Sequence, residues 1–307
     1  MPSQDSNNLI DQAIRYHQNN DIEKALEIYH HFLKDNHDHS GLLNLTGVAY
    51  GQLNQYDRSR DYLFKAVKIS PDDDSIHLNL ATLFSTINKN EQALVHANKA
   101  IELDEKKPGN YAKRANIYMK LFKYDQAHHD LLKAYKLDPD NTEILSEIVN
   151  CLCFKECWEE ALEYYKQYKS NPGFEETPHS LSLEARILNG LEQIEESKNL
   201  YEKILKLDDT HVIANLNLAL LCDLTQDFQR ASQLIHKASF YAQEKNVVQW
   251  NLALHLLSHG NYHQGWALYK QWRWKIQTFI PYRRYFDIPE WKGQALKNRH
   301  LLIHGEQ

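Results

Sequence analysis

Over most of the chain, apolar side chains recur at i, i+3, i+4 and i+7, the spacing that gathers them on one face of an α-helix. In residues 74–86 this face is His77, Leu80, Ala81 and Phe84. The segments DRSRDYLFKAVKISPD (57–72), NEQALVHANKAIELDE (90–105), YDQAHHDLLKAYKLDP (124–139) and WEEALEYYKQYKSNPG (158–173) share one scheme. A small residue is followed four positions later by an apolar or aromatic one, then by a further core residue, then by a turn. With the helix that precedes each segment, this predicts pairs of amphipathic helices with unit starts at 6, 40, 74, 108, 142, 178, 212 and 246. The spacing is 34 residues throughout, except for 36 between 142 and 178, where the loop around Asn171–Pro178 absorbs two extra.

Two positions in each unit are small. The eighth holds Ala13, Gly47, Ala81, Ala115, Val149, Ala185, Ala219 and Ala253; the twentieth holds Ala25, Ser59, Ala93, Ala127, Ala161, Ser197, Ala231 and Gly265. These are where paired helices are expected to cross, because bulk at a crossing pushes the axes apart. Prolines agree with the boundaries. Pro71 and Pro139 follow second helices, where proline stops continuation, and Pro108 and Pro178 stand at the start of first helices, where a missing N–H costs nothing.

The period, the small positions and the boundary prolines together resemble the tetratricopeptide repeat, a 34-residue helix pair. The resemblance covers residues 6–279 and implies an all-α fold, a right-handed superhelix (α-solenoid) of about eight helix-turn-helix repeats. First helices would line its concave face, and residues 280–307 would form a short irregular or strand-like tail. The twenty-seventh position departs from the family's usual Ala, being Phe32, Tyr168, Ile204 and Trp272 in half the units.

If positions 4, 7, 8 and 11 of a first helix are buried, positions 2, 5, 6, 9, 12 and 13 point the opposite way. Candidate groove residues are therefore Asn44, Asn79, Lys113, Asn116, Lys120, Asn150, Arg186, Asn217 and Asn251. Amides recur among them, and an amide both donates to and accepts from a peptide backbone without demanding a sequence. Asn79, Asn217 and Asn251 each open the run NLA, which is similar to part of the asparagine ladder in the repeat arm of O-GlcNAc transferases. In the other units that position is Asp11, Leu45, Lys113, Glu147 and Leu183, so the ladder is discontinuous. The expected partner is a protein or extended peptide in the groove.

Composition narrows the alternatives. Ten Gly and eight Pro in 307 residues are about half of average usage, too few for a turn-rich β-sandwich. The net charge is −6, and residues 1–273 alone carry 29 basic against 38 acidic groups, the wrong sign for a nucleic-acid binder. The start, MPSQDSNNLIDQ, lacks a basic segment leading into an apolar one, and no stretch is apolar enough to span a membrane. A cytoplasmic location follows as an expectation.

Chemistry-bearing clusters do not match known spacings. Cys151, Cys153 and Cys157 lie close together, but helical residues two apart diverge by roughly 200° and cannot share a metal. They read as buried or half-buried thiols. His255 and His259 are an i, i+4 pair, yet residue 256 is Leu where a metalloprotease helix needs Glu. His37 and His39 lie beside Asp35 and Asp38, a place for adventitious metal. Asp72–Asp74 reads as a solvated turn. GxSxG, GxGxxG and GxxxxGK[ST] do not occur. No catalytic residue, cofactor or metal site is assigned.

The C-terminal run changes character. Five of six Trp follow residue 249, and Pro281, Pro289 and Gly293 interrupt the helical period before LLIH (301–304). GWALYKQWRW (265–274), then Arg284, Phe286, Pro289, Trp291, Gly293, Leu296 and LLIHGEQ, resemble the junction of bacterial repeat-linked glycosyltransferases, where a GT-B nucleotide-sugar domain begins. Two functional expectations result: a non-catalytic protein-binding scaffold, and the acceptor-recognition arm of a glycosyltransferase whose catalytic domain is absent from these 307 residues. Weak self-association through terminal helices is a third.

Overall fold

A computed structural model describes residues 4–272 and 275. Among them the secondary structure is helical, in two compact units, Met1–Leu207 and Asp208–Gln307. The predicted tail and most of the junction motif lie outside the described residues.

Unit 1 holds six helix pairs. Its first helices are α1 (Gln4–Gln18), α3 (Ser40–Gln52), α5 (Asp74–Thr86), α7 (Pro108–Lys120), α9 (Thr142–Phe154) and α11 (Pro178–Gly190). Its second helices are α2 (Ile22–Asp35), α4 (Tyr56–Ile69), α6 (Asn90–Leu103), α8 (Tyr124–Leu137), α10 (Trp158–Ser170) and α12 (Ile194–Leu207). Unit 2 holds α13 (Val212–Leu224), α14 (Phe228–Tyr241), α15 (Lys245–Ser258) and α16 (Tyr262–Trp272). Each first helix packs on its own second helix, and within a unit each second helix packs on the next first helix. This is the all-α solenoid arrangement that helix pairs need, since one pair cannot bury its own apolar face.

The small positions do what crossing points require. All sixteen are buried, and the two glycines show why. A Cβ on Gly47 would stand 2.7 Å from Leu63 Cγ, and one on Gly265 would stand 2.8 Å from Leu257 Cγ. At one of these places the residue is Ser197, whose Oγ donates to the Ala185 carbonyl at 2.7 Å.

The turn inside each pair repeats as well. Asn20, Asn54, Asn88, Phe122, Glu156, Glu192, Gln226 and Gly260 all have positive φ, between 57° and 80°. After each, the next N–H reaches back to the first helix, as in Lys89 N to Phe84 O at 2.8 Å and Gln193 N to Leu188 O at 2.8 Å. This six-residue closure is the Schellman stop, which needs one left-handed residue. Successive left-handed residues stand 34 apart, and 36 apart only across the Asn171–Pro178 loop. Pro108 and Pro178 are the first residues of α7 and α11.

Candidate functional site

In unit 1 the polar positions of neighbouring first helices meet side by side. Asn79 Nδ2 donates to Asn44 Oδ1 at 2.9 Å, joining α5 to α3. Lys120 Nζ on α7 donates to the Ser85 carbonyl and hydroxyl of α5 at 3.1 and 3.0 Å. Asn116 Nδ2 donates to Glu147 Oε1 of α9 at 2.8 Å, and Arg186 Nη1 of α11 donates to Asn150 Oδ1 at 2.7 Å. The sequence separations are 35, 35, 31 and 36, one period give or take a few residues, because residues one period apart are lateral neighbours in a stack of identical pairs.

These bonds use only half of each amide. Asn44 Nδ2, Asn79 Oδ1, Asn116 Oδ1 and Asn150 Nδ2 have no protein hydrogen-bond partner among the described residues. The line from α3 to α11 thus retains both donors and acceptors on half-buried side chains. Lys113 is exposed on the same helix as Asn116 and Lys120. Burial, with Glu143 nearby, raises the Glu147 carboxyl above its usual range against the opposing pull of Asn116 and Lys113. Burial also lowers the Lys120 ammonium, and the like charge of Lys113 adds to this. The Arg186 guanidinium lies over the Phe154 ring, 4.8 Å from its centroid.

Unit 2 is different. Asn251 Nδ2 donates to Val247 O in its own helix at 2.9 Å, so its donor turns back along α15 and not across to a neighbouring first helix. Asn217 is half-buried on α13. The lateral link here joins Asp223 of α13 to His255 of α15, with Oδ1 and Nδ1 2.8 Å apart. Sequence reasoning did not couple these two residues, although their separation of 32 was a signal.

Asp74 also departs from the solvated reading. Lys107 Nζ donates to its Oδ2 at 2.7 Å, and Asn110 Nδ2 donates to the same oxygen at 3.2 Å. Burial raises this carboxyl, but the hydrogen bonds and charge from Lys107 and Asn110 outweigh it and hold it below the usual carboxylate range. Cys151, Cys153 and Cys222 are buried free thiols, Cys157 is half-buried, and burial pushes Cys151 up to about 12. Such a thiol is inert at neutral pH. Among the described residues no helix is long and apolar enough to cross a membrane.

Comparison with known proteins names the repeat. Residues 10–74, 108–141 and 178–211 match models of the tetratricopeptide repeat. The anaphase-promoting complex subunit CDC16 of Saccharomyces cerevisiae is 29% identical over 118 residues, 36% of this chain and 14% of that protein. The UDP-N-acetylglucosamine–peptide N-acetylglucosaminyltransferase of Giardia intestinalis is 30% identical over 79 residues, 26% of this chain and 5% of that enzyme. The matched part is thus a small fraction of either relative. A solved tetratricopeptide repeat protein from Parabacteroides merdae superimposes with a TM-score of 0.65 at 15% identity, covering 83% of this chain and 100% of that one. Helix pairs of one period, closed by one recurrent turn and crossing at small residues, therefore carry a name where the models match: residues 10–74, 108–141 and 178–211 are tetratricopeptide repeats, and the fold is the solenoid that such repeats build.

Proposed function

We propose that this protein is a binding scaffold that holds an extended peptide, or an extended segment of a protein, along the first helices of unit 1. One observation carries the reading: the lateral line of Asn44, Asn79, Asn116 and Asn150 keeps unused donors and acceptors after its own bonds are made. A peptide unit presents one N–H and one C=O, so such a line satisfies a backbone whatever its side chains. Lys113 and Arg186 on the same helices add charge selection at either side. The lateral bonds also hold the amides in place before a ligand arrives, which lowers the ordering cost of binding. CDC16 is a subunit of a complex by name, and a protein partner for this chain is in keeping with that. A cytoplasmic location belongs to the reading and is supported by four free cysteines and no disulfide among them.

The test is selection of peptides from a random displayed library on the full chain, followed by titration of a selected peptide. Asn79→Ala with Asn150→Ala should weaken binding by about tenfold or more, since two hydrogen bonds of about 1 kcal/mol each are lost. The two lateral bonds lost with these amides should lower the unfolding free energy by about 1–3 kcal/mol, which urea unfolding of the peptide-free variant reads separately from binding. Peptides that bind wild type and variant equally would place the partner elsewhere.

A second reading, the acceptor-recognition arm of a glycosyltransferase, is favoured by the 79-residue similarity to the Giardia enzyme. The natural reading frame beyond codon 307 tests it: a glycine-rich turn followed by alternating strands and helices supports it, and a stop codon removes it.

A further inference from the structure

Unit 2 contains a cleft of about 790 Å³ between α14 and α15. Phe228, Ser232 and His236 form part of one side, and His255, Leu256 and His259 form the other. His255 is 5% exposed, and its Nδ1 lies 2.8 Å from Asp223 Oδ1. A carboxylate only accepts, so the bond places the proton on Nδ1 and leaves the lone pair of the neutral imidazole on Nε2. That nitrogen has no protein partner among the described residues. One turn along, His259 stacks on His255 with ring centroids 6.0 Å apart and planes 24° apart. The Phe228 ring meets His259 edge-on at 4.5 Å and limits its rotation.

We propose that this cleft binds a late first-row divalent metal ion, Zn²⁺ or Cu²⁺, through Nε2 of His255 and the imidazole of His259. Three observations converge on it. The nitrogen donors are of the type these ions prefer, and they stand one helical turn apart. A carboxylate on the far nitrogen is the arrangement that orients a metal-binding histidine and raises its basicity. The Asp223 side chain is only 11% exposed and lies 2.8 Å from Nδ1, so an ion on Nε2 would stand across the same ring from a largely buried carboxylate. Among the described residues no three His, Cys, Asp or Glu side chains converge into a closed cage. The ion therefore keeps water at its remaining positions and exchanges readily.

Zn²⁺ titration of the full chain by calorimetry tests this in a background carrying His37→Gln and His39→Gln, which removes the competing loop cluster. About one equivalent should bind. His259→Ala should weaken it at least about tenfold, and Asp223→Asn, which keeps a hydrogen bond to His255 but loses the charge, should weaken it by about 10- to 100-fold. His259 is exposed but touches Phe228 and His255, so its replacement should lower the metal-free melting temperature by only a few degrees and leave the protein folded for the titration. With Cu²⁺, the electron paramagnetic resonance spectrum should show imidazole nitrogen couplings that diminish in His259→Ala. Binding that survives His259→Ala intact, that disappears with His37 and His39, or that fails to saturate in the wild type would overturn the proposal.

Discussion

Trp158 packs its indole against the bare backbone of Gly190, in the space that a Cβ at residue 190 would fill. The atoms in the way belong to the ring system and not to a flexible chain end, so neither partner can yield cheaply. Gly190→Ala is expected to cost about 1–3 kcal/mol of stability, the usual penalty for overpacking, despite the better helix propensity of alanine. Urea unfolding measures it. The cost should largely vanish in a Trp158→Leu background, because a smaller side chain leaves room for the methyl group.

The recurrent left-handed turn predicts a gain. Glu156 is exposed at φ 57°, where an L side chain crowds its own carbonyl. Glu156→Gly should stabilise the protein by about 0.5–1 kcal/mol, the relief of strain exceeding the extra chain entropy of glycine. Asn88, already of a type that tolerates this conformation, serves as the control: Asn88→Gly should be near neutral. Thermal melts of both variants compare them directly.

Asp130 predicts a large loss. Its side chain is 2% exposed and receives two bonds from Arg114, Nε at 2.7 Å and Nη2 at 2.8 Å. Arg114→Leu leaves that carboxylate buried and unpaired, at a cost of about 3–5 kcal/mol. Replacing both, Arg114→Leu with Asp130→Leu, should cost less than Arg114→Leu alone. A double-mutant cycle in urea reads the difference.

Acid should weaken unit 1. Burial lowers the imidazoles of His17, His30, His96 and His128 below their ordinary 6.5, assisted by Arg58 at His30, His77 at His96 and Lys155 at His128. A depressed imidazole binds fewer protons folded than unfolded, so its contribution is complete above about 6.5 and declines as the pH falls. The His77–His96 contact gives the mechanism a location. His77 Nε2 donates to Pro71 O at 2.9 Å, so its Nδ1 accepts from His96 Nδ1–H at 3.1 Å, and a proton gained by the half-buried His96 would set its charge against that neighbouring ring. The melting temperature should drop between pH 7.5 and 5.5. His96→Asn, whose amide donates to the same acceptor without titrating, should flatten that dependence.

Much of this architecture is legible in one dimension. The 34-residue period reappears in the left-handed residues, and the small positions Ala81 and Ala93 are fully buried, because repetition and the size of a crossing point are written residue by residue. The site is less legible. Asn79 and Asn116 read as groove amides, yet their bonds to Asn44 and Glu147 depend on how far neighbouring first helices slide past one another. Asn251 follows the same run as Asn79 but bonds within its helix. Asp74 reads as a turn carboxylate and instead holds Lys107 and Asn110 of the next pair.

The sequence by itself determined the helix pairs, their spacing, their stops and the residues small enough to let them cross. These follow from side-chain size, hydrophobic period and backbone preference, properties a residue carries wherever it stands. Tertiary structure decided which polar groups meet: Arg186 with Asn150, Asp223 with His255, Trp158 with Gly190. Such pairings turn on ångström-scale registry between helices one repeat apart, and hydrogen bonds and packing vary steeply over that distance.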